Sequence, residues 1–316
     1  MKNLSDIVGS PLHIFLLTRN EEFAATLQNL WASDQISWTV FSNGQLALEQ
    51  AFNEPPDMVI AEQFLPGING IDVLRALRAE NVYRQICSIL VAYNDALPDL
   101  PSASLHVDEL IILPSSADKM RVRVELALYR TTIALDANPL TRLPGNTSII
   151  SAIQRLLSGG ADFALAYLDM DNFKPYNDKY GFSRGDEMLL MTARLIANTV
   201  RTQHCEPSFV GHIGGDDFVF ILSLDAMENA CKSLVRDFDA IVPSFYDPDD
   251  RARRSIISFD RQGHELSFPI LSISIAVVLN VNSRFTHYAE LSHVAGQIKK
   301  IAKATPGSTY VFDRRH

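Results

Sequence analysis

Two acidic segments of the chain carry residues suited to binding a hard metal ion. The first is Asp-Met-Asp-Asn-Phe-Lys at residues 169–174, and the second is Gly-Gly-Asp-Asp-Phe at residues 214–218. Mg²⁺ takes oxygen ligands, usually one or two carboxylates together with substrate phosphates and water. Asp169, Asp216 and Asp217 are therefore candidates for a metal-assisted reaction.

Both acidic segments are predicted to lie at the ends of β-strands. Residues 163–168 form an uninterrupted apolar run that ends at Asp169, which is typical of a strand buried on both faces. Apolar runs at residues 209–213 and 219–222 flank the glycine pair and predict a hairpin, because glycine supplies the positive φ of a tight turn. Glycine and aspartate are also ordinary turn residues, so the hairpin alone favours no function.

Four motifs together resemble the GGDEF domain of diguanylate cyclases, in that family's order and spacing. They are Leu-Thr-Arg-Leu-Pro at residues 140–144, the segment 169–178, Gly185-Asp186 and the segment 214–218. The resemblance implies an α+β domain of the nucleotidyl-cyclase palm, ferredoxin-like type. It also implies that two GTP molecules are condensed into cyclic di-GMP with Mg²⁺ or Mn²⁺, by a homodimer in which each half-site holds one GTP.

The resemblance also implies roles for individual residues. Asp169, the backbone carbonyl of Met170 and Asp216 match the metal ligands of the family. Asp216, Asp217 and Lys174 occupy its catalytic positions. The implied substrate-binding residues are Asn172, Phe173, Lys174 and Lys303 on the phosphate side, and Asn177 and Asp186 at guanine.

Asp186 bears on the choice of nucleotide. A carboxylate accepts hydrogen bonds from the N1–H and N2–H₂ donors of guanine but offers adenine nothing complementary, so this residue favours GTP over ATP. Outside these motifs, Asn177 and Asp186 would be interpreted equally well as turn and helix-cap residues.

Asp217 departs from the family, which has a glutamate at this position for activation of the 3′-hydroxyl and for the second metal. Aspartate keeps the charge on a side chain one methylene shorter, and a displacement of about 1 Å can cost about a hundredfold in rate. Nucleotide binding with weak turnover is therefore an alternative to full activity.

Two further departures concern the phosphates and the product. Residues 306–308 read Pro-Gly-Ser where the family has an arginine, and the nearby Lys299 and Lys300 lack the bidentate fork of arginine. Residues 205–208 read Cys-Glu-Pro-Ser where many active members carry an Arg-x-x-Asp product site. We expect no tight product inhibition through that segment.

Residues 12–130 alternate short apolar runs with amphipathic stretches, which predicts a flavodoxin-like, doubly wound parallel sheet. The segment 62–74 resembles part of a response-regulator receiver domain. The predicted strands are 13–17, 58–61, 88–91 and 110–113, and the predicted helices are 23–31, 44–52 and 73–79.

The chemical residues of a receiver are missing from this half. A receiver needs an acidic pair, a phosphoacceptor aspartate, a Ser or Thr and a Lys, and the chain offers Thr18-Arg19, Glu62, Val91 and Leu113 in their places. We therefore predict that this domain does not accept phosphate and instead serves dimerisation or binding of a protein partner. Glu62 is interpreted as a solvated relic carboxylate or, alternatively, as a mimic of a phosphorylated aspartate.

We expect a receiver-like domain at residues 1–118, a linker helix at 119–138 and a GGDEF domain at 139–316. Pro139 bars further helix and marks the boundary. The polar stretch 247–254 is predicted to be an inserted surface hairpin whose arginines are solvated or, alternatively, contact a phosphate or a partner.

The linker helix carries Val122, Leu126 and Tyr129 at near-heptad spacing. These residues suit a partner helix, or alternatively they pack on the helix's own sheet.

Composition limits the remaining classes of function. With 316 residues, 47% of them apolar and 21% charged, the chain suits two globular domains. A net charge of -9 argues against a general nucleic-acid or membrane-surface binder. The three cysteines lack metal-ligand spacing, and no apolar run is long enough for a membrane span, which predicts a cytoplasmic protein.

Two functions are left open by the sequence. One is a GTP-condensing enzyme, and the other is a degenerate module that binds GTP or a protein partner without chemistry. Hydrolysis of cyclic di-GMP is disfavoured, because the sequence has no further acidic cluster of the kind that a hydrolase domain would need.

Overall fold

The computed structural model describes residues 4–8, 11–93, 107–259 and 265–313 of the chain. The chain divides into two units, Met1–Leu135 and Asp136–His316. Within the described ranges, no helix is both long and apolar enough to cross a membrane.

The first unit is built on a five-stranded parallel sheet in the order β2-β1-β3-β4-β5. This is the flavodoxin-like strand order, and helices cover both faces, as the alternating sequence pattern predicts. Its elements are α1 (Leu4–Val8), β1 (Leu12–Leu17), α2 (Glu21–Leu30), β2 (Ile36–Phe41), α3 (Gly44–Asn53), β3 (Met58–Glu62), α4 (Gly70–Ala79), β4 (Cys87–Tyr93), β5 (Glu109–Leu113) and α5 (Ala117–Asp136).

Helix α5 contributes one face to the core of the first unit. Met120, Val124, Ala127 and Leu128 are buried there against the sheet. Val122, Leu126 and Tyr129 lie on the other face, each about half exposed. Packing on its own sheet is therefore the wrong interpretation for the heptad-spaced residues.

Glu62 is not the solvated carboxylate that the sequence suggested. It is the last residue of β3, and only 5% of its surface is exposed. The hydroxyl of Tyr93, at the end of the neighbouring β4, donates a hydrogen bond to Glu62 Oε1 at 3.3 Å. Burial, together with the charge of Glu62, raises the pKa of Tyr93.

The second unit is built on a mixed sheet in the order β12-β11-β6-β8-β7, in which only β11 and β12 are parallel. Its elements are α6 (Asn146–Ser158), β6 (Phe163–Asp171), α7 (Phe173–Tyr180), α8 (Phe182–Thr202), β7 (Phe209–Gly214), β8 (Asp217–Leu222), α9 (Leu224–Ile241), α10 (Pro248–Arg253), β9 (Ser255–Phe259), β10 (Glu265–Pro269), β11 (Ser272–Asn280), α11 (Tyr288–Lys303) and β12 (Thr309–Phe312). The predicted buried strand and hairpin are confirmed as β6 and as β7 with β8.

Side-chain alternation along β6 divides the second unit into two cores. Ala164, Ala166 and Leu168 face the core formed with α8 and α9. Phe163 and Leu165 face the opposite core, formed with α6 and α11. Because successive residues of a strand point to opposite faces, Asp169 lies on the α11 side of the sheet.

The prediction of a surface hairpin at residues 247–254 is wrong. Pro248 begins α10, a position that suits proline because its missing N–H would be unpaired there anyway. The buried Asp250 accepts a hydrogen bond from Tyr180 and pairs with Lys179 at 3.2 Å, which anchors the segment, while Arg251, Arg253 and Arg254 are exposed as predicted. The hairpin follows α10 and is formed by β9 and β10.

A candidate metal and nucleotide site

Three carboxylates meet where β6 ends and β8 begins. Asp217 pairs across the strands with Asp169, and Asp216 lies in the turn between β7 and β8. That turn uses Gly215 at φ +58°, a conformation that favours glycine. One carboxylate oxygen from each of the three aspartates lies within 4.8 Å of those of the other two.

Two lysines of α11 reach these carboxylates. Lys299 Nζ lies 2.7 Å from Asp169 Oδ2 and also donates a hydrogen bond to Asp217 Oδ1. Lys303 Nζ lies 2.7 Å from Asp169 Oδ1. The two lysines are four residues apart, which places them on one face of the helix.

The charges at this point shift the pKa values of the acids in different directions. Burial alone would raise the pKa of Asp169, but Lys299 and Lys303 hold it below its usual value. Burial raises the pKa of Asp216, and the charge of Asp169 adds to this rise. Burial also raises the pKa of Asp217, although Lys299 opposes the change.

The donor set fits a hard divalent cation. All the side-chain ligand atoms are carboxylate oxygens, the kind that Mg²⁺ and Mn²⁺ prefer. Asp169 Oδ1 is buried without a well-aligned hydrogen-bond donor in the described residues, although Lys303 lies at ion-pair distance. The backbone N–H of Met170 donates to the Asp216 carbonyl at 3.3 Å, which ties the end of β6 to the turn.

The predicted phosphate-binding residues lie at the turn that follows β6. Asn172 has φ +64° and precedes α7, which begins at Phe173. The Phe173 side chain is part of the protein core, so only its backbone can face a ligand, whereas the Lys174 side chain is exposed. The backbone N–H groups of Asn172 and Phe173 and the ammonium group of Lys174 therefore follow the acidic residues of β6 directly in sequence.

The structure brings Asn177 to the start of α8, where Asp186 is exposed. The Asn177 side chain lies against Gly185 so closely that a Cβ on Gly185 would be 1.7 Å from Asn177 Oδ1. This buried oxygen has no hydrogen-bond partner in the described part of the chain. The exposed carboxylate of Asp186 thus follows directly after the glycine that Asn177 Oδ1 lies against.

The position of the absent arginine has a structural role in this chain. The hydroxyl of Ser308 donates to Asp239 and accepts a hydrogen bond from the backbone N–H of Ile273 at 3.1 Å. It therefore joins residues of α9 and β11. In the segment 205–208, Cys205 Sγ contacts the Pro207 carbonyl at 3.8 Å.

Two supporting residues have roles that the sequence left unassigned. His212 contacts the Gly215 carbonyl through Nε2 at 3.0 Å and Thr141 Oγ1 through Nδ1 at 2.9 Å, so it joins the hairpin turn to residues 140–144. Asp136 accepts hydrogen bonds from three backbone N–H groups at the start of α6. A histidine two residues before a glycine pair carries no such signal, because Thr141 is distant in sequence.

Residues 136–246 match the family described as "Diguanylate cyclase, GGDEF domain". The diguanylate cyclase DgcP of Pseudomonas aeruginosa is 31% identical over 103 residues, which are 31% of this chain and 15% of that protein. The response regulator PleD of Caulobacter vibrioides is 24% identical over 196 residues, which are 56% of this chain and 42% of that protein. The chain thus covers less than half the length of either relative.

Among solved structures, the GGDEF domain of YfiN (TpbB) from Pseudomonas aeruginosa superposes with a TM-score of 0.41 and 22% identity. The superposition covers 55% of this chain and 92% of that one.

Proposed function

We propose, on the premise that residues 136–246 form a GGDEF domain of the diguanylate cyclase family, that the chain condenses two GTP molecules into cyclic di-GMP. In this reaction the 3′-hydroxyl of each GTP attacks the α-phosphate of the other, and pyrophosphate leaves. The chain would act as a homodimer, because one site of this kind holds one GTP.

The observation that carries the proposal is the cluster of Asp169, Asp216 and Asp217, whose oxygens converge within 4.8 Å. Such a cluster is the donor set for Mg²⁺ or Mn²⁺, and a divalent cation bound there would neutralise charge on the nucleotide phosphates. Asp169, Asp216 and the carbonyl of Met170 are the proposed ligands.

The other residues would bind and orient the substrate. The backbone of Asn172 and Phe173 would donate to phosphate oxygens, and Lys174 would add a positive charge there. Asn177 and Asp186 would bind the guanine edge, and Asp217 would accept the proton of the attacking 3′-hydroxyl. Lys303 would contact the triphosphate once released from Asp169.

The test is to incubate the full chain with GTP and Mg²⁺ and to separate the nucleotide products by chromatography. We expect cyclic di-GMP from the wild-type protein and none from Asp216→Ala. Exposed Asp225, in the first turn of α9, provides the matched control Asp225→Ala, which should retain wild-type turnover. Unchanged GTP in the wild-type reaction would refute the enzymatic proposal.

A second candidate is a module that binds GTP or a protein partner with little or no turnover. Three observations favour it: the short side chain of Asp217, its hydrogen bond with Lys299, and the use of Ser308 where the family has an arginine. Mg²⁺-dependent GTP binding by calorimetry, without cyclic di-GMP formation, would establish this function instead.

For the first unit we propose a receiver fold that takes no phosphate. Glu62 is buried, and Thr18, Val91 and Leu113 cannot supply the missing acidic, hydroxyl and ammonium groups in place. Incubation with a small phosphodonor should leave the mass of the chain unchanged. A phosphoryl adduct anywhere in residues 1–130 would contradict this proposal. The unit would instead bind a second copy or a protein partner.

A further inference from the structure

Lys299 occupies an unusual place among the acidic residues. Its ammonium group contacts Asp169 Oδ2 at 2.7 Å and Asp217 Oδ1, so it bridges the two strands that bring the carboxylates together. Lys303, by contrast, forms an ion pair with Asp169 alone among the described residues, and its side chain is 44% exposed where that of Lys299 is 25% exposed. Lys299 is thus the more enclosed of the two cations.

The position of Lys299 is fixed by the packing of α11. Leu291, Ala295 and Ile298 of this helix are buried, and Ala302 is buried one turn after Ile298. The helix therefore cannot roll to withdraw the lysine. The four-carbon side chain of lysine can, however, rotate about its own bonds and carry the ammonium group towards solvent.

Lys299 and a divalent cation would need the same two carboxylates. Asp169 and Asp217 each contribute to the group of converging oxygens, and each also accepts from Lys299. Two cations within a few ångströms repel each other strongly in a half-buried site. Asp169 and Asp217 can therefore bind either the ammonium group or a divalent cation with both carboxylates, but they cannot bind the two cations at once.

We propose that Lys299 is a built-in cation that competes with the divalent metal for Asp169 and Asp217 and so weakens metal binding in the absence of nucleotide. This inference rests on the proposed function of the same site. The phosphates of a bound nucleotide would attract the ammonium group and free both carboxylates, so that metal and nucleotide bind together. Lys299 is then a residue that regulates entry of the metal.

A purely structural ion pair would behave in the opposite way. If Lys299 only held the two strands in register, its removal would loosen the carboxylates and lower metal affinity. If Lys299 competes with the metal, its removal raises metal affinity. The sign of the change in affinity therefore separates the two roles without any measurement of turnover.

The experiment is a calorimetric titration of the full chain with Mn²⁺ alone. It is carried out on the wild type, Lys299→Met and Lys300→Met. Lys300 is the neighbouring residue, is exposed, and undergoes the same loss of charge. We expect Mn²⁺ to bind Lys299→Met about tenfold more tightly than the wild type, and Lys300→Met to differ by less than about twofold.

Thermal unfolding provides a second measurement. Without metal, Lys299→Met should melt at a lower temperature than the wild type, because Asp169 and Asp217 lose their shared partner. Added Mn²⁺ should raise its melting temperature by more than that of the wild type. Should Lys299→Met fail to fold, Lys299→Gln, which keeps a polar head without the charge, is measured in the same way.

Two results would overturn the proposal. Equal or weaker Mn²⁺ binding by the folded Lys299 variant, with binding abolished in Asp216→Ala, would refute competition while leaving the metal site in place. Absence of Mn²⁺ binding from the wild type and the Lys299 variant would refute the competition and the proposed metal site together.

Discussion

Asp217 shows how much of the proposed chemistry depends on one methylene group. Its position is fixed on both sides, because its backbone pairs with Asp169 across the strands and its carboxylate accepts from Lys299. A longer acid at this position would reach further from the same strand start. Because the backbone of this residue is fixed, the length of its side chain determines how far the carboxylate reaches.

We predict that Asp217→Glu increases cyclic di-GMP formation by about tenfold or more, because a displacement of about 1 Å at a reacting group can change a rate about a hundredfold. Chromatography of GTP reactions measures the rate. Asp217→Asn, which keeps the length and removes the charge, should abolish turnover. If the glutamate variant is no faster than the wild type, the side-chain length at residue 217 is not what limits the rate.

Gly185 provides a test of the proposed guanine contacts. A Cβ at Gly185 would lie 1.7 Å from Asn177 Oδ1 and push that flexible side chain away. Alanine also stabilises a helix over glycine by about 1 kcal/mol. Gly185→Ala should therefore weaken GTP binding by about tenfold in calorimetry while the melting temperature is kept.

Gly296 offers the matched control for this variant. It lies within α11, and a Cβ at this position would meet nothing within 4 Å. Gly296→Ala should raise the melting temperature without changing GTP affinity. Unaltered GTP binding by Gly185→Ala would remove Asn177 from the proposed guanine site.

At the residue scale, the sequence predicted the ends of strands better than it predicted side-chain partners. Asp169 and Asp217 could be placed beside buried strands from apolar runs, although β6 continues past its run to Asp171. The bridge by Lys299 could not, since it requires the packing angle between α11 and the sheet. The four-residue spacing from Lys303 indicates a shared helix face but not what that face meets.

The backbone N–H groups at the start of α6 donate hydrogen bonds to a side chain from outside the helix. Its N-cap residue is Gly145, which has no side chain to cap with. Asp136 accepts from the N–H groups of Gly145 at 3.0 Å, Thr147 at 2.7 Å and Ser148 at 3.0 Å. Burial alone would raise the pKa of Asp136, but these hydrogen bonds hold it below its usual value.

We predict that Asp136→Ala destabilises the protein by about 1–2 kcal/mol at neutral pH, the usual effect of losing a helix cap. Because the folded pKa of Asp136 is lowered, its contribution is complete above the unfolded value of about 3.9 and is lost as pH falls through the folded value. Urea unfolding across this pH range should show the difference from wild type shrinking in acid.

Asp178→Ala provides the control for the Asp136 variant, because Asp178 is an exposed aspartate of α7. It should leave the urea midpoint close to that of the wild type. A difference between Asp136→Ala and the wild type that persists unchanged in acid would show that the Asp136 charge is not what stabilises α6.

At the element scale, the sequence analysis did not predict strands and helices that are rich in polar residues. Strand β2 lies at the sheet edge and is only partly buried, with Ser37 and Thr39 in it, so it lacks the apolar run that marks the central strands. Helix α10 is short and highly charged. Its position depends on the contact between Asp250 and Tyr180, residues too far apart in sequence for a local pattern to pair them.

At the scale of the whole molecule, the exposed face of α5 carries apolar residues whose spacing suits a second copy. Val122, Leu126, Tyr129 and Ile133 of α5 are 53%, 50%, 55% and 45% exposed, and they recur at intervals of four, three and four residues. This is the spacing of a coiled-coil seam. A seam of identical helices is complementary to itself, so a homodimer is the partner we propose.

We predict that Leu126→Asp dissociates this homodimer. A carboxylate buried without a partner in an apolar seam costs several kcal/mol, so the dimer should weaken by about a hundredfold or more. The variant should sediment as a monomer where the wild type is a dimer, and it should lose cyclic di-GMP formation while each chain still binds GTP. Leu46→Asp, which changes a leucine of α3 that is 58% exposed, should sediment and turn over as the wild type does. A Leu126→Asp protein that remains dimeric, or a wild type that forms cyclic di-GMP as a monomer, would refute the role of this seam.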